Sequence, residues 1–506
     1  MPKAHALLCC LALHSACASV SAQSAQSSQA VPSFASQPEN IRSEVLLGEP
    51  RTSQHIPDSP FGIQTTICAE GGPADYMNKA AGAIAAAGYK WVGEYVLNSW
   101  KAGQAPQLSE ASTWSRLPTR CGEHLARLQA SSVSVLMRVD PLPTRMLRGS
   151  EPVTETELAL AKAYTRSVVM QLKPYIKHWQ IGNEPNLANA PEAYVRITEV
   201  VARTIRAEQP DAIIYGPAVS MLQCMAPEPY PWIPNALRAG LLKHIDVFSF
   251  HPYRANGDEP ERASEFARFR HWPTYANQLA ALRQLLQAHG KKAPKLAVSE
   301  DGEGSAISAD GEQRITPVVD AKNELRRALL DFSEGIYPRI HFAFFRNIPN
   351  ADYNNEGSFN VVNSQLDKKP LYYAAQNLHA VLDSTYEKAD NIRVNAQALP
   401  KVQTQTYLKH HAGFDELLVF FWAPVPAQNM HLRAKLGLEV AGSGWQAPVL
   451  VDLMTMPGHA KSVGHEASTH QRTTFPNAHK SQAGVHIEGL ELRDYPQLLK
   501  LVRPKP

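Results

Sequence analysis

Lys177-His178-Trp179-Gln180-Ile181-Gly182-Asn183-Glu184-Pro185-Asn186 is the stretch on which the reading of this chain turns. A short apolar strand runs into a turn that presents an amide and an acid side by side. Gly182 and Pro185 shape that turn, since glycine admits unusual backbone geometry and proline locks φ. A carboxyl at the carboxyl end of a parallel strand is where barrel enzymes do their chemistry. Glycoside hydrolysis needs a second carboxyl across the scissile bond.

Lys295-Leu296-Ala297-Val298-Ser299-Glu300-Asp301-Gly302 supplies it, again as a short apolar strand that ends in an acid and a glycine-containing loop. Glu300 is the candidate nucleophile and Glu184 the candidate general acid/base. Asp301 and Glu303 lie beyond the apolar run and rank below Glu300. Asn183 precedes the acid, where an amide can donate to a sugar 2-hydroxyl as charge grows at the anomeric carbon. In Phe248-Ser249-Phe250-His251-Pro252-Tyr253, His251 and Tyr253 alternate along one strand and both are expected in the barrel mouth as substrate-binding residues.

Between these motifs, short apolar runs alternate with amphipathic stretches, the pattern of parallel βα units. Strands are expected at 61–64, 90–97, 134–139, 176–182, 212–215, 245–250, 296–299 and 340–345, with a last helix at 370–382. Eight strands with helices between them close a barrel. Beyond residue 386 the texture becomes short, β-prone runs at 402–408, 416–422, 430–434, 449–453 and 484–487. The expected fold class is therefore α/β, a (β/α)8 TIM barrel over 46–385 followed by a C-terminal β-sandwich over 386–506.

Residues 59–382 resemble the clan A glycoside hydrolases, on the strength of the Asn183-Glu184-Pro185, His251-Pro252-Tyr253 and Ser299-Glu300-Asp301 segments. Within that clan the layout is most like family 39, the group of β-xylosidases, α-L-iduronidases and exopolysaccharide-cleaving endoglycosidases. The resemblance implies acid/base and nucleophile glutamates at the ends of strands four and seven, and a Tyr253 that donates to Glu300 and keeps it ionised. It also implies a tryptophan at the end of strand eight, which this chain lacks. The sugar platform is expected from Phe345, or from Trp100 or Trp272 reaching in from loops. Strand two carries Glu94 where relatives have an arginine that braces the nucleophile. Arg138 is the expected substitute, with Glu94 pairing with it or reading a substrate amine.

The expected activity is a retaining double displacement on an extracellular or envelope polysaccharide. That mechanism asks Glu184 to hold a proton near neutral pH, with its pKa raised by burial or by the Glu300 charge. Two alternatives remain open: an exo-acting β-xylosidase-like enzyme on small glycosides, and a non-catalytic carbohydrate-binding barrel. No metal or organic cofactor is implied. A formal charge of +3 over 506 residues gives no case for nucleic acid.

Lys3, an apolar run at 6–12 and small residues ending at Ala22 read as a secretory signal over 1–22, so a secreted or periplasmic location is expected. Lipid anchoring at Cys17 is a lesser alternative. Residues 23–45, rich in Ser, Gln and Ala, read as a flexible lead-in. No later apolar run is long enough to span a bilayer. Beyond the leader only Cys68, Cys121 and Cys224 remain, which allows one internal disulfide and leaves one thiol.

Overall fold

The computed structural model describes residues 51–70, 74–96, 119–141, 152–187, 189–226, 231–254, 259–263, 272–305, 315–346, 359–398, 401–429, 432, 434–455, 477–481 and 483–505. The signal segment with Cys17, the lead-in and Trp100 lie outside the described residues.

Eight parallel strands form the barrel: β1 (Phe61–Gln64), β2 (Trp91–Val96), β3 (Ser134–Val139), β4 (His178–Ile181), β5 (Ile213–Ser220), β6 (Val247–His251), β7 (Lys295–Asp301) and β8 (Arg339–His341). They pair in that order, and β8 returns to β1 in the register Gly62 to Ile340 to close the ring. Among the described residues the helices around it are α1 (Ile67–Glu70), α2 (Ala74–Ala86), α3 (Thr119–Ala130), α4 (Glu155–Leu172), α5 (Pro191–Glu208), α6 (Trp232–Arg238), α7 (Tyr275–Ala288), α8 (Pro317–Ser333) and α9 (Pro370–Val381).

Strand side chains alternate in direction, and the barrel uses both faces. Trp91, Leu136, Tyr215, Val247, Ala297 and Ile340 form one buried cluster. Their strand neighbours Val92, Val135, Ile214, Phe248, Leu296 and Val298 belong to the larger core shared with the helices. Both faces are thus apolar, as parallel strands covered on two sides require.

The boundaries differ from the expected ones where function sits. β7 runs on through Glu300 and Asp301, and β5 runs on to Ser220. Each carries a register shift, between Val298 and Asp301 in β7 and between Pro217 and Val219 in β5. Such irregularities re-aim side chains next to active sites. β8 stops at His341, so Phe342 to Phe345 leave the strand.

The C-terminal region is a β-sandwich. β10 (Val394–Gln397), β13 (Ala434–Ala441), β16 (Gly484–Leu492) and β15 (Asn477–Ser481) make one sheet. β14 (Gln446–Asp452), β17 (Gln497–Pro504), β12 (Phe414–Trp422), β11 (Gln403–His410) and β9 (Glu387–Lys388) make the other. Sequence patterning misses β9, β10, β15 and β17, and its run at 430–434 meets β13 only at Ala434. In β12, Leu417, Val419 and Phe421 point into the sandwich core, whereas Leu418, Phe420 and Trp422 point into the barrel's core. One sheet therefore serves two cores.

Cys68 on α1 and Cys121 on α3 form a disulfide, and Cys224 is a buried free thiol. Among the described residues no helix is long and apolar enough to cross a membrane.

Candidate active site

The turn after β4 is set by its backbone. Gly182 has φ +74°, a value an L side chain rarely adopts, and packs against the Tyr194 ring. Glu184 itself has φ +43°, a strained conformation for a residue with a side chain. Its N–H donates to the Ala218 carbonyl at 2.9 Å. Asn186 locks the turn to the end of β5, donating to the Ser220 carbonyl and accepting from the Ser220 N–H, both at 2.8 Å. The strain at Glu184 is thus held in place by bonds on both sides of it.

His251 Nδ1 lies 3.0 Å from Glu184 Oε1, and its Nε2 lies 3.1 Å from Ser299 Oγ. The ring is fully buried. This corrects the expectation that His251 binds substrate: it spends both nitrogens inside the protein, one of them on the candidate acid. Burial pushes the Glu184 carboxyl up, but the hydrogen bond and charge of His251, then Ser220 and Arg138, outweigh it. The net direction is below the ordinary carboxyl value, the reverse of what the sequence reading required. The reason is that a buried imidazole, not Glu300, is the dominant neighbour.

Tyr253 donates to Glu300 Oε1 at 2.8 Å. Burial, then the charges of Glu300 and Glu184, hold the phenol well above its usual pKa, so it remains a donor. Arg138, stacked over the Tyr95 ring at 4.2 Å, donates from Nη1 to Asn183 Oδ1 at 2.8 Å. The same nitrogen lies 3.9 Å from Glu300 Oε2. One guanidinium therefore ties the amide beside the acid to the candidate nucleophile. It also orients Asn183, because the amide oxygen is taken and the nitrogen is the end left to donate. The Glu184 and Glu300 side chains keep 21% and 14% exposure, enough to be reached from solvent.

Glu94 does neither thing expected of it. It is fully buried and accepts from the Ile67 N–H at 3.0 Å, the Cys68 N–H at 3.2 Å, the Tyr95 N–H at 3.3 Å and the Thr65 hydroxyl. It anchors the start of α1, and burial pushes its pKa up to about 7 against those four donors. Asp301 and Glu303 also turn away from the pair. Asp301 meets Arg327 Nε at 3.0 Å, and Glu303 meets Arg254 Nη2 at 3.0 Å and Asn323 Nδ2 at 2.7 Å.

Phe345 is a second correction. Only 2% of it is exposed, and it is tilted against Tyr76 at 4.9 Å, so it offers no ring face to a sugar. Among the described residues, Phe359 lies edge-on to Tyr253 at 6.2 Å, and Phe342 lies edge-on to Phe359 at 5.5 Å. Gly302 makes room for them: a Cβ there would sit 2.5 Å from the Phe342 carbonyl and 3.2 Å from the Phe359 ring. Trp272 is half-buried against the barrel core. Sequence reasoning missed Phe359, Ser220, Ser299 and Asn186. Only Ser299, two residues along β7 from inward-facing Ala297, carried a signal that could have found it.

No family model and no curated protein matches the sequence. Solved structures do. The chain superposes on a family 39 glycoside hydrolase from the gut symbiont Bacteroides cellulosilyticus WH2 with TM-score 0.58 and 18% identity, over 90% of this chain and 82% of that one. A glucosidase from Croceicoccus marinus gives TM-score 0.53 and 12% identity, over 92% and 100% of the two chains. A monomeric β-xylosidase from Caulobacter crescentus CB15 gives TM-score 0.53 and 12% identity, over 88% and 96%. At these identities the shared property is the architecture: the (β/α)8 barrel with its β-sandwich is the fold these glycoside hydrolases have.

Proposed function

We propose that the protein is a retaining glycoside hydrolase that cleaves O-glycosidic bonds in an extracellular or envelope polysaccharide. The observation that carries this reading is the pair of differently furnished carboxyls at one barrel mouth: Glu300 with a phenol donor, Glu184 with an imidazole. Two carboxyls whose environments differ are what acid/base and nucleophile roles require. The secretory reading of residues 1–22 supports a substrate outside the cytoplasm.

Glu300 attacks the anomeric carbon and forms a glycosyl ester as the glycosidic bond breaks. The leaving oxygen takes its proton from Glu184. Glu184 delivers it from beside His251, whose hydrogen bond and charge hold the carboxyl below its ordinary value. The ionised Glu184 then deprotonates water, which attacks the ester and frees Glu300. Asn183, oriented by Arg138, donates to the 2-hydroxyl as charge develops.

A screen of purified protein against polysaccharides, with product lengths analysed, tests the substrate class: long products mark endo action and single sugars exo action. Glu184→Gln and Glu300→Gln are each expected to lower kcat by about 10³-fold or more with the fold intact. Full activity in either would overturn the assignment.

A further inference from the structure

The charged face of α8 reaches the two strand ends that carry the nucleophile and its donor. Arg327, in the middle of that helix, is 1% exposed on its side chain. Its Nε donates to Asp301 Oδ2 at 3.0 Å, its Nη2 to the Pro252 carbonyl at 3.0 Å and its Nη1 to the Pro260 carbonyl at 3.2 Å. The guanidinium lies 3.7 Å from the centre of the Tyr275 ring. Asp301 follows Glu300, and Pro252 precedes Tyr253. One planar group therefore spans the backbone on either side of the Tyr253–Glu300 hydrogen bond.

We infer that Arg327 is a positioning residue, which sets the spacing of Glu300 and Tyr253 by clamping Asp301 to the exit of β6. This rests on reading Glu300 as the nucleophile. A plain structural ion pair would need only the carboxylate. Here two of the three donating nitrogens go instead to carbonyls at 252 and 260, both on the segment that leaves β6. Asp301 depends on this partner: its Oδ1 is buried without a hydrogen bond, and its other cation, Arg339 Nη2, stands off at 3.7 Å. A lysine reproduces the charge but not the three-way fork.

The clamp also explains why Asp301 faces outward. Ala297 and Ser299 point into the barrel, and strict alternation would send Asp301 the same way. The register shift between Val298 and Asp301 turns it onto α8 instead. The irregularity that re-aims Glu300 is thus the one that Arg327 holds.

A double-mutant cycle on kcat tests this, with the polysaccharide identified by the screen as substrate and reducing ends as the readout. Arg327→Lys is expected to lower kcat by about tenfold or more with KM within about twofold, since a small misplacement of a reacting group costs up to about 10²-fold. In a Tyr253→Phe background the same change is expected to cost less than about threefold, because the bond it positions is already gone. A folded Arg327→Lys with unchanged kcat, a loss confined to KM, or losses that multiply in the double mutant would overturn the inference. If Arg327→Lys does not fold, Asp301→Asn takes its place in the same cycle, read by the same outcomes. Wild-type protein no more active than Glu300→Gln would instead sink the glycosidase reading.

Discussion

His251 touches Glu184 through one ring nitrogen and Ser299 through the other, so the ring cannot turn without losing a bond. Replacing it with Gln removes the charge that helps hold the Glu184 carboxyl down against burial. The Glu184 titration is therefore expected to move upward in His251→Gln, read as the infrared carboxyl band that disappears in Glu184→Gln. An unmoved band would show that the imidazole is not what sets the acid. Glu184, Asn183, Glu300 and Tyr253 were legible in sequence because each stands at or just past a strand end, where backbone direction nearly fixes side-chain direction. Glu94 and Phe345 were not. The first is claimed by backbone N–H groups of α1, the second by Tyr76, and neither neighbour is near in sequence.

α8 shows the same limit at the scale of an element. Its Lys322, Arg326, Arg327, Asp320 and Asp331 are residue types that normally face water, yet all are buried. The helix lies between the barrel and the sandwich, so it has almost no solvent side to spend charges on. Lys322 pairs with Asp494 at 2.8 Å, Arg326 with Glu261, and Glu324 with Arg339 and with His341 at 3.1 Å. Burial pushes Glu324 up, but Arg339 and His341 outweigh it and bring its pKa down to about 2. A carboxyl depressed in the folded state adds stability that is complete above its ordinary value and is lost as pH falls toward the folded one. Glu324→Gln is expected to cost about 3 kcal/mol at neutral pH, with the gap to wild type closing between pH about 4.5 and about 2. Urea unfolding of both proteins across that range measures it, and a constant gap would contradict the ion pair.

At the scale of the molecule, the order of eight strands was readable because each is a short apolar run between helical stretches. The sandwich was readable only in part. β15 is Asn-Ala-His-Lys-Ser, with no apolar pattern of its own, and in β17 Lys500 interrupts the run of Leu498, Leu499, Leu501 and Val502. Their pairing is decided by β12 and β16, which patterning found. The two-faced β12 strand has a further consequence for how the chain comes apart. Trp422, Phe420 and Leu418 belong to one core while Phe421, Val419 and Leu417 belong to the other. Melting either core strips one face of the same strand, so neither can be lost while the other stays intact. Cooperativity then extends across both regions, and a calorimetric scan is expected to show one endotherm where a loosely tethered pair would give two.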